Sequence, residues 1–167
     1  EAVRSGALPQ RLVLLGVDDE DLAGLAERGP AKLLADEVRG LDPESLAAAI
    51  SRHHAVGRPV AIHAVSRAET VVAVTAFALA GTIDGDRLEH GSVLPTDLDA
   101  VLAGGGVTVV VQPALIAERG DHHLANLDAD DIDVLHRLSS LRASGVSLAM
   151  GSDAPVTSID PWAAIRA

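Results

Sequence analysis

Four residues stand where an apolar run should be unbroken or has just ended: Lys32, His63, His90 and Asp153. They are 31, 27 and 63 residues apart in order. A strand–helix–strand unit takes about 30 residues. The spacing therefore puts the first three on successive parallel strands and Asp153 two strands further on. The strand in between ends at Gln112-Pro113. Parallel strands all point one way, so the four residues gather at the C-terminal rim, where α/β sheets and barrels hold ligands and do chemistry. Two neutral imidazoles with carboxylates suit zinc or a similar divalent ion. Taken singly, each residue also has a purely structural reading. A histidine at a strand end is often just a satisfied polar group, a strand lysine snorkels to the surface, and an Asp before Ala154-Pro155 caps a turn. None of these explains the shared register.

The elements that must position these residues follow from the punctuation. Apolar runs predict strands at Arg11–Gly16, Ala31–Ala35, Pro59–Ala64, Arg87–His90, Val107–Val111 and Val146–Met150. They lack the alternation of a half-exposed sheet, the pattern of a parallel sheet covered on its faces. Helices are predicted between them: Asp18–Arg28 with Asp18, Asp19, Glu20 and Asp21 as first-turn acids, then Asp42 as N-cap with Pro43 leading to about Gly57. Others run over Ala68–Ala80, from Thr96 or Asp99 to the Gly104–Gly106 stop, over Asp130–Ala143, and from Asp160-Pro161 onward, with Trp162 as its anchor. The segment Glu118–His123 reads as a loop, and His136 as mid-helix. The fold class is α/β with six strand–helix units in one domain.

Composition narrows the function. With 13 Lys+Arg against 24 Asp+Glu the net charge is −11, so phosphate backbones and anionic lipid should repel the chain. The absence of cysteine removes disulfides, thiolate ligands and Cys nucleophiles. Phe77 and Trp162 are the only aromatic carbocycles, too few for base stacking. No segment reads as a signal peptide or a membrane span, so a cytoplasmic setting is expected, with no nucleic-acid or membrane partner.

Five strings occur in order from about Gly29 onward: Gly29-Pro30-Ala31-Lys32-Leu33-Leu34-Ala35-Asp36, Pro59-Val60-Ala61-Ile62-His63-Ala64, Arg87-Leu88-Glu89-His90-Gly91, Val107 to Gln112-Pro113, and Gly151-Ser152-Asp153-Ala154-Pro155-Val156. Together they resemble the amidohydrolase superfamily of metal-dependent hydrolases, in its amidohydrolase-3 or YtcJ-like branch. The resemblance implies a (β/α)8 TIM-type barrel, of which residues 1–167 supply strands three to eight as a partial barrel. The first two strands and a flanking β-domain would lie outside these residues, and so would the His-x-His pair of the first metal. It implies that Lys32, carboxylated, bridges two ions, and that His63 and His90 bind the second. By the same resemblance Asp153 binds the first ion and takes the proton of the attacking water. The implied reaction is hydrolysis of a non-peptide C–N bond in a small amide, formamide or cyclic amide. Zinc is the first choice of metal. Ser66-Arg67, where many relatives have Gly-Asp, and the short Asp36–Pro43 loop depart from the family pattern.

Further polar residues are assigned by position. Gln112, His122 and His123, near the mouth, are substrate-contact candidates. His53, His54 and His136 are given no functional role. Glu89 precedes His90 and so faces the other side of its strand, as a partner for Arg87 or Arg67. A second reading makes the chain a catalytically incomplete barrel that serves as a binding or assembly module, with its open edges covered by another copy. A third, a phosphate-binding barrel, is disfavoured because Gly104-Gly105-Gly106 precedes a strand instead of opening a helix.

Overall fold

The computed structural model describes residues 2–17 and 24–166. The chain forms parallel strands β1 (Val13–Leu14), β2 (Glu27–Arg28), β3 (Ala31–Leu34), β4 (Val60–Ala64), β5 (Arg87–His90), β6 (Thr108–Val111) and β7 (Ser147–Met150). β3 to β7 pair in chain order, and β1 pairs with β2. β2 and β3 are one extended stretch interrupted at Gly29-Pro30. The Gly29 N–H donates to the Leu14 carbonyl (2.8 Å) and the Gly16 N–H to the Pro30 carbonyl (3.1 Å), so β1 runs alongside both. Gly16 has φ +70, and a Cβ there would stand 2.9 Å from the Cβ of Lys32, which is why β1 can lie against β3 only with glycine at this point. All six expected strands are present, each followed in sequence by its neighbour. The architecture is part of a (β/α)8 barrel.

Helices α1 (Pro43–His54), α2 (Arg67–Ala80), α3 (Asp99–Gly105), α4 (Pro113–Asn126), α5 (Ala129–Ile132), α6 (Leu138–Ala143) and α7 (Pro161–Arg166) alternate with the strands. Asp42 caps α1 as its sequence predicts, accepting from the N–H groups of Glu44 and Ser45. Ser66 and Glu69 form a capping box at α2. β4 is apolar but for His63, and Val60, Ala61, Ile62 and Ala64 are wholly buried. Val60, Ile62 and Ala64 join Ile50, Phe77, Leu88, Leu102 and Val109 in the core between sheet and helices. Burying each of the Val, Ile, Leu and Phe side chains contributes about 1.5–3 kcal/mol, and this holds the strands in place beneath the rim. No helix among the described residues is long and apolar enough to cross a membrane.

Four local expectations are corrected. The predicted helix Asp18–Arg28 and its acids at 18–21 fall mostly outside the described residues. Its last part is not helical, because Glu27 and Arg28 are drawn into pairing with β1. The predicted helix Asp130–Ala143 is two short helices. The chain breaks between them because Arg137 turns inward, where its guanidinium meets the carboxylate of Asp99 (2.6 Å) and the Leu94 carbonyl (2.9 Å). His136 therefore lies in a break and not mid-helix, with φ +46. His122 and His123 lie on α4 and not in a loop, since Pro113 starts a helix that passes through Gly120. Trp162 is 67% exposed, so it anchors nothing in the core; its helix is instead started by Asp160, which accepts from the Trp162 N–H (2.9 Å).

Candidate active site

Strand register decides which side chains share a face. Lys32 pairs with Ala61, Leu34 with His63, and His63 with Glu89. Registered neighbours in a parallel sheet point the same way, and so do residues two apart along a strand. Lys32, His63, Arg87 and Glu89 therefore share a face. The expectation that Glu89 faces away from the site residues is thus corrected. Its carboxylate is held by Arg87 at 2.7 and 2.5 Å, the partner its sequence position suggested, while Arg67 pairs with Asp131.

By alternation His90 should then face away from His63. It does not, because its φ is +73. That left-handed turn ends β5 and brings the imidazole back, so that the His63 and His90 rings meet edge to face with centroids 4.6 Å apart. Asp153, three residues beyond β7, also has positive φ, +58. Non-glycine residues in this region are uncommon and carry local strain, which tends to collect where geometry serves function.

The electrostatics tie the four residues to one locality. Burial pushes His90 below the usual histidine range; His63 and Lys32 push the same way, while Asp153 and a hydrogen bond with Gln112 oppose them. Lys32 is likewise pulled below its ordinary value, first by burial of its amine end; Glu89 and Asp153 oppose this, and Arg87 adds to it. Both shifts favour uncharged nitrogen, the form that can donate a lone pair. Gln112 is nearly buried, and its amide donates to the Val110 carbonyl (2.9 Å), which leaves its oxygen to accept from the His90 ring. On α4, His122 and His123 stand 6.3 Å apart by ring centroids, and His123 lies 5.6 Å from His136. His136 is the residue that spacing missed. It falls inside a helical-looking pattern, and nothing in the sequence marks the break that turns it toward the rim.

The donor set suits a divalent ion in chemistry: two adjacent imidazoles, an amine biased toward its neutral form, and a carboxylate. Among the described residues, no three His, Cys, Asp or Glu side chains stand close enough to hold an ion by themselves. Lys32 or solvent would have to complete a coordination shell around the His63–His90 pair.

Comparison with known proteins bears on the fold and the family. The chain is similar along 98% of its length to an uncharacterized metal-dependent hydrolase from Pyrococcus horikoshii OT3, at 20% identity and a TM-score of 0.79. It is similar over the same share to one from Pyrococcus furiosus, at 21% identity and a TM-score of 0.75. It spans 40% and 41% of those chains. Ochratoxinase from A. niger matches over 74% of this chain and 30% of its own, at 17% identity and a TM-score of 0.52. At these identities the likeness shows the fold. No curated protein matches significantly in sequence. The model of the amidohydrolase family matches residues 10–167. Because that model matches nearly the whole length, the chain belongs to the amidohydrolase family.

Proposed function

We propose that the chain is the C-terminal part of a metal-dependent hydrolase barrel that cleaves a non-peptide C–N bond in a small amide, formamide or cyclic amide. One observation carries the reading: the His63 and His90 rings meet at 4.6 Å, and Lys32 and Asp153 act electrostatically on the same imidazole. His63 and His90 are the nitrogen ligands. Lys32 joins them by taking up carbon dioxide on its neutral amine, which releases a proton and leaves a carbamate oxygen as donor. A bound divalent ion, zinc in this reading, would lower the pKa of a water and polarise the scissile carbonyl.

The chain's own residues do the rest. Asp153 accepts the water's proton on its carboxylate and returns it to the leaving nitrogen. Gln112 fixes the His90 ring by holding its second nitrogen, the usual way a ligating imidazole is oriented. The Arg87–Glu89 pair balances charge on the same face as Lys32. A cytoplasmic setting and a small uncharged or weakly charged substrate go with this reading.

The test is hydrolysis of an amide and formamide panel by the intact protein, with and without added zinc. H63A and H90A should each remove at least about a hundredfold of the activity, the scale of losing a positioned catalytic group. D153N should do the same. Activity that survives H63A together with H90A would overturn the proposal.

A further inference from the structure

Three non-glycine residues have positive φ among the described ones: His90, Asp153 and His136. The first two are already placed in the site. The third was given no role by its sequence, yet it shares the same uncommon backbone state. His136 is rooted on the segment that follows β5 and His90. Its N–H donates to the carbonyl of Ser92 (2.7 Å), Leu135 bridges to Val93, and the Leu94 N–H donates back to Val134 (3.3 Å).

Its ring has an unmet need. Nε2 of His136 and Nδ1 of His123 are the two buried side-chain polar atoms, among the described residues, that have no hydrogen-bond partner. Buried polar atoms are nearly always paired, so two orphans on neighbouring rings leave hydrogen-bonding capacity that the protein itself does not fill. The rings lie 5.6 Å apart and are tilted by 32°. His136 also lines a cleft of about 290 Å³ with Ile116, Gly120, Leu124, Ile132 and Leu135. That wall is apolar apart from the imidazole.

We infer that His123 and His136 form a recognition subsite beside the metal-binding pair, which grips an uncharged polar end of the substrate while its apolar body fills this cleft. The substrate class is an amide that carries an aryl or branched-alkyl group ending in a neutral carbonyl, carboxamide or hydroxyl. The inference rests on the hydrolase reading for the reacting end of that molecule, and on the orphaned nitrogens for the other end.

Several observations favour a neutral organic group over an ion. Burial, reinforced by His123 and His90, pulls His136 down to about 4, so its ring is uncharged near neutral pH. His123 is lowered as well, by burial and then by His122 and Arg119. Neutral imidazoles both donate and accept, which suits a carboxamide or hydroxyl. A carboxylate would lose its hydration here with no protonated imidazole to meet it. Arg119 is turned to the Val156 carbonyl (3.5 Å). A metal ion would need more donors, and no third His, Cys, Asp or Glu joins the pair among the described residues.

The test titrates benzamide into the intact protein and follows the ring nitrogens of the histidines by NMR. Benzamide should shift His123 and His136 saturably. Benzoate should bind at least about tenfold more weakly, as should benzamide to H136F or H123L, the cost of one unmet buried hydrogen-bonding group. H136Q, which keeps such a group, should bind within about threefold of the unaltered protein. Benzamide that leaves both rings unmoved at millimolar concentration, or shifts only His63 and His90, overturns the subsite. So does benzoate binding as tightly as benzamide. Binding needs no turnover, so the two readings fail separately. Shifts without hydrolysis of any amide would sink the hydrolase and leave the subsite. Hydrolysis without shifts would do the reverse.

Discussion

At the scale of single residues, the account turns on backbone states that side-chain patterns do not reveal. Register rules place Lys32 and His63 on one face from sequence alone, since both lie inside regular strands. They misplace Glu89 and His90, because alternation fails once φ turns positive at the strand end. The strain at His90 thus converts an outward position into a site position. An asparagine is the non-glycine residue that best tolerates this backbone, so H90N should keep the fold but lose metal affinity by about tenfold or more, measured by zinc titration. His136 gives a pH prediction. Its folded value of about 4 lies below the ordinary value of about 6.5 for an unfolded histidine. Above that ordinary value the ring is neutral in both states and costs nothing. As pH falls from about 6.5 to about 4 the unfolded chain takes up a proton that the folded one refuses, so stability declines through that window. The ring is partly open to solvent, and the loss should be about 2 kcal/mol after allowing for screening. Urea midpoints at neutral and acidic pH should therefore fall less for H136N than for the unaltered protein. Equal slopes would contradict the burial of this ring.

At the scale of elements, strands were legible because parallel strands are continuous apolar runs, and a helix start was legible where capping chemistry is local, as at Asp42, while the cap at Ser66 went unread. Breaks decided by distant partners were not. Residues 130–143 carry a helical pattern, and the contacts of Arg137 with Asp99 and Leu94, 38 and 43 residues away in sequence, divide it. The reverse holds at Gly120, where glycine and flanking charges read as a loop but lie inside α4. Two anchors, one at the strand bases and one at the rim, are open to test. Asp86 is fully buried and accepts from the N–H groups of Val60 (2.8 Å) and Ile83 (2.9 Å) and from His54 Nε2 (3.1 Å). It ties the end of α1 to the start of β4. D86A leaves those donors unmet and should cost about 3 kcal/mol in urea unfolding, from roughly 1–3 kcal/mol for a buried group without its partner. S66A opens the capping box of α2 and should cost about 1 kcal/mol by the same measurement. A larger loss for S66A than for D86A would mean that the strand bases matter less than described.

At the scale of the whole molecule, the family match and the strand order agree on a barrel portion, and its two flanks have consequences. Among the described residues β7 pairs only with β6, and Met150, Ile159, Trp162 and Ile165 stand 57–78% exposed around it. Unpaired edges next to apolar surface favour association. Sedimentation of these 167 residues alone should therefore show self-association that M150K with I165K reduces, whereas a strictly monomeric species would speak against exposed apolar flanks. The meeting of His63 and His90 was legible from a gap of one strand–helix unit, because topology alone carries residues far apart in sequence to one end. The approach of His136 to His123 was not, because it depends on how a broken helix is docked. The most direct test of the central claim is anomalous diffraction at the zinc absorption edge, on crystals of the intact protein grown with zinc. The account predicts a peak about 2.0–2.1 Å from ring nitrogens of both His63 and His90, with Lys32 and Asp153 around it. A peak bound elsewhere, or none at these imidazoles, would contradict it.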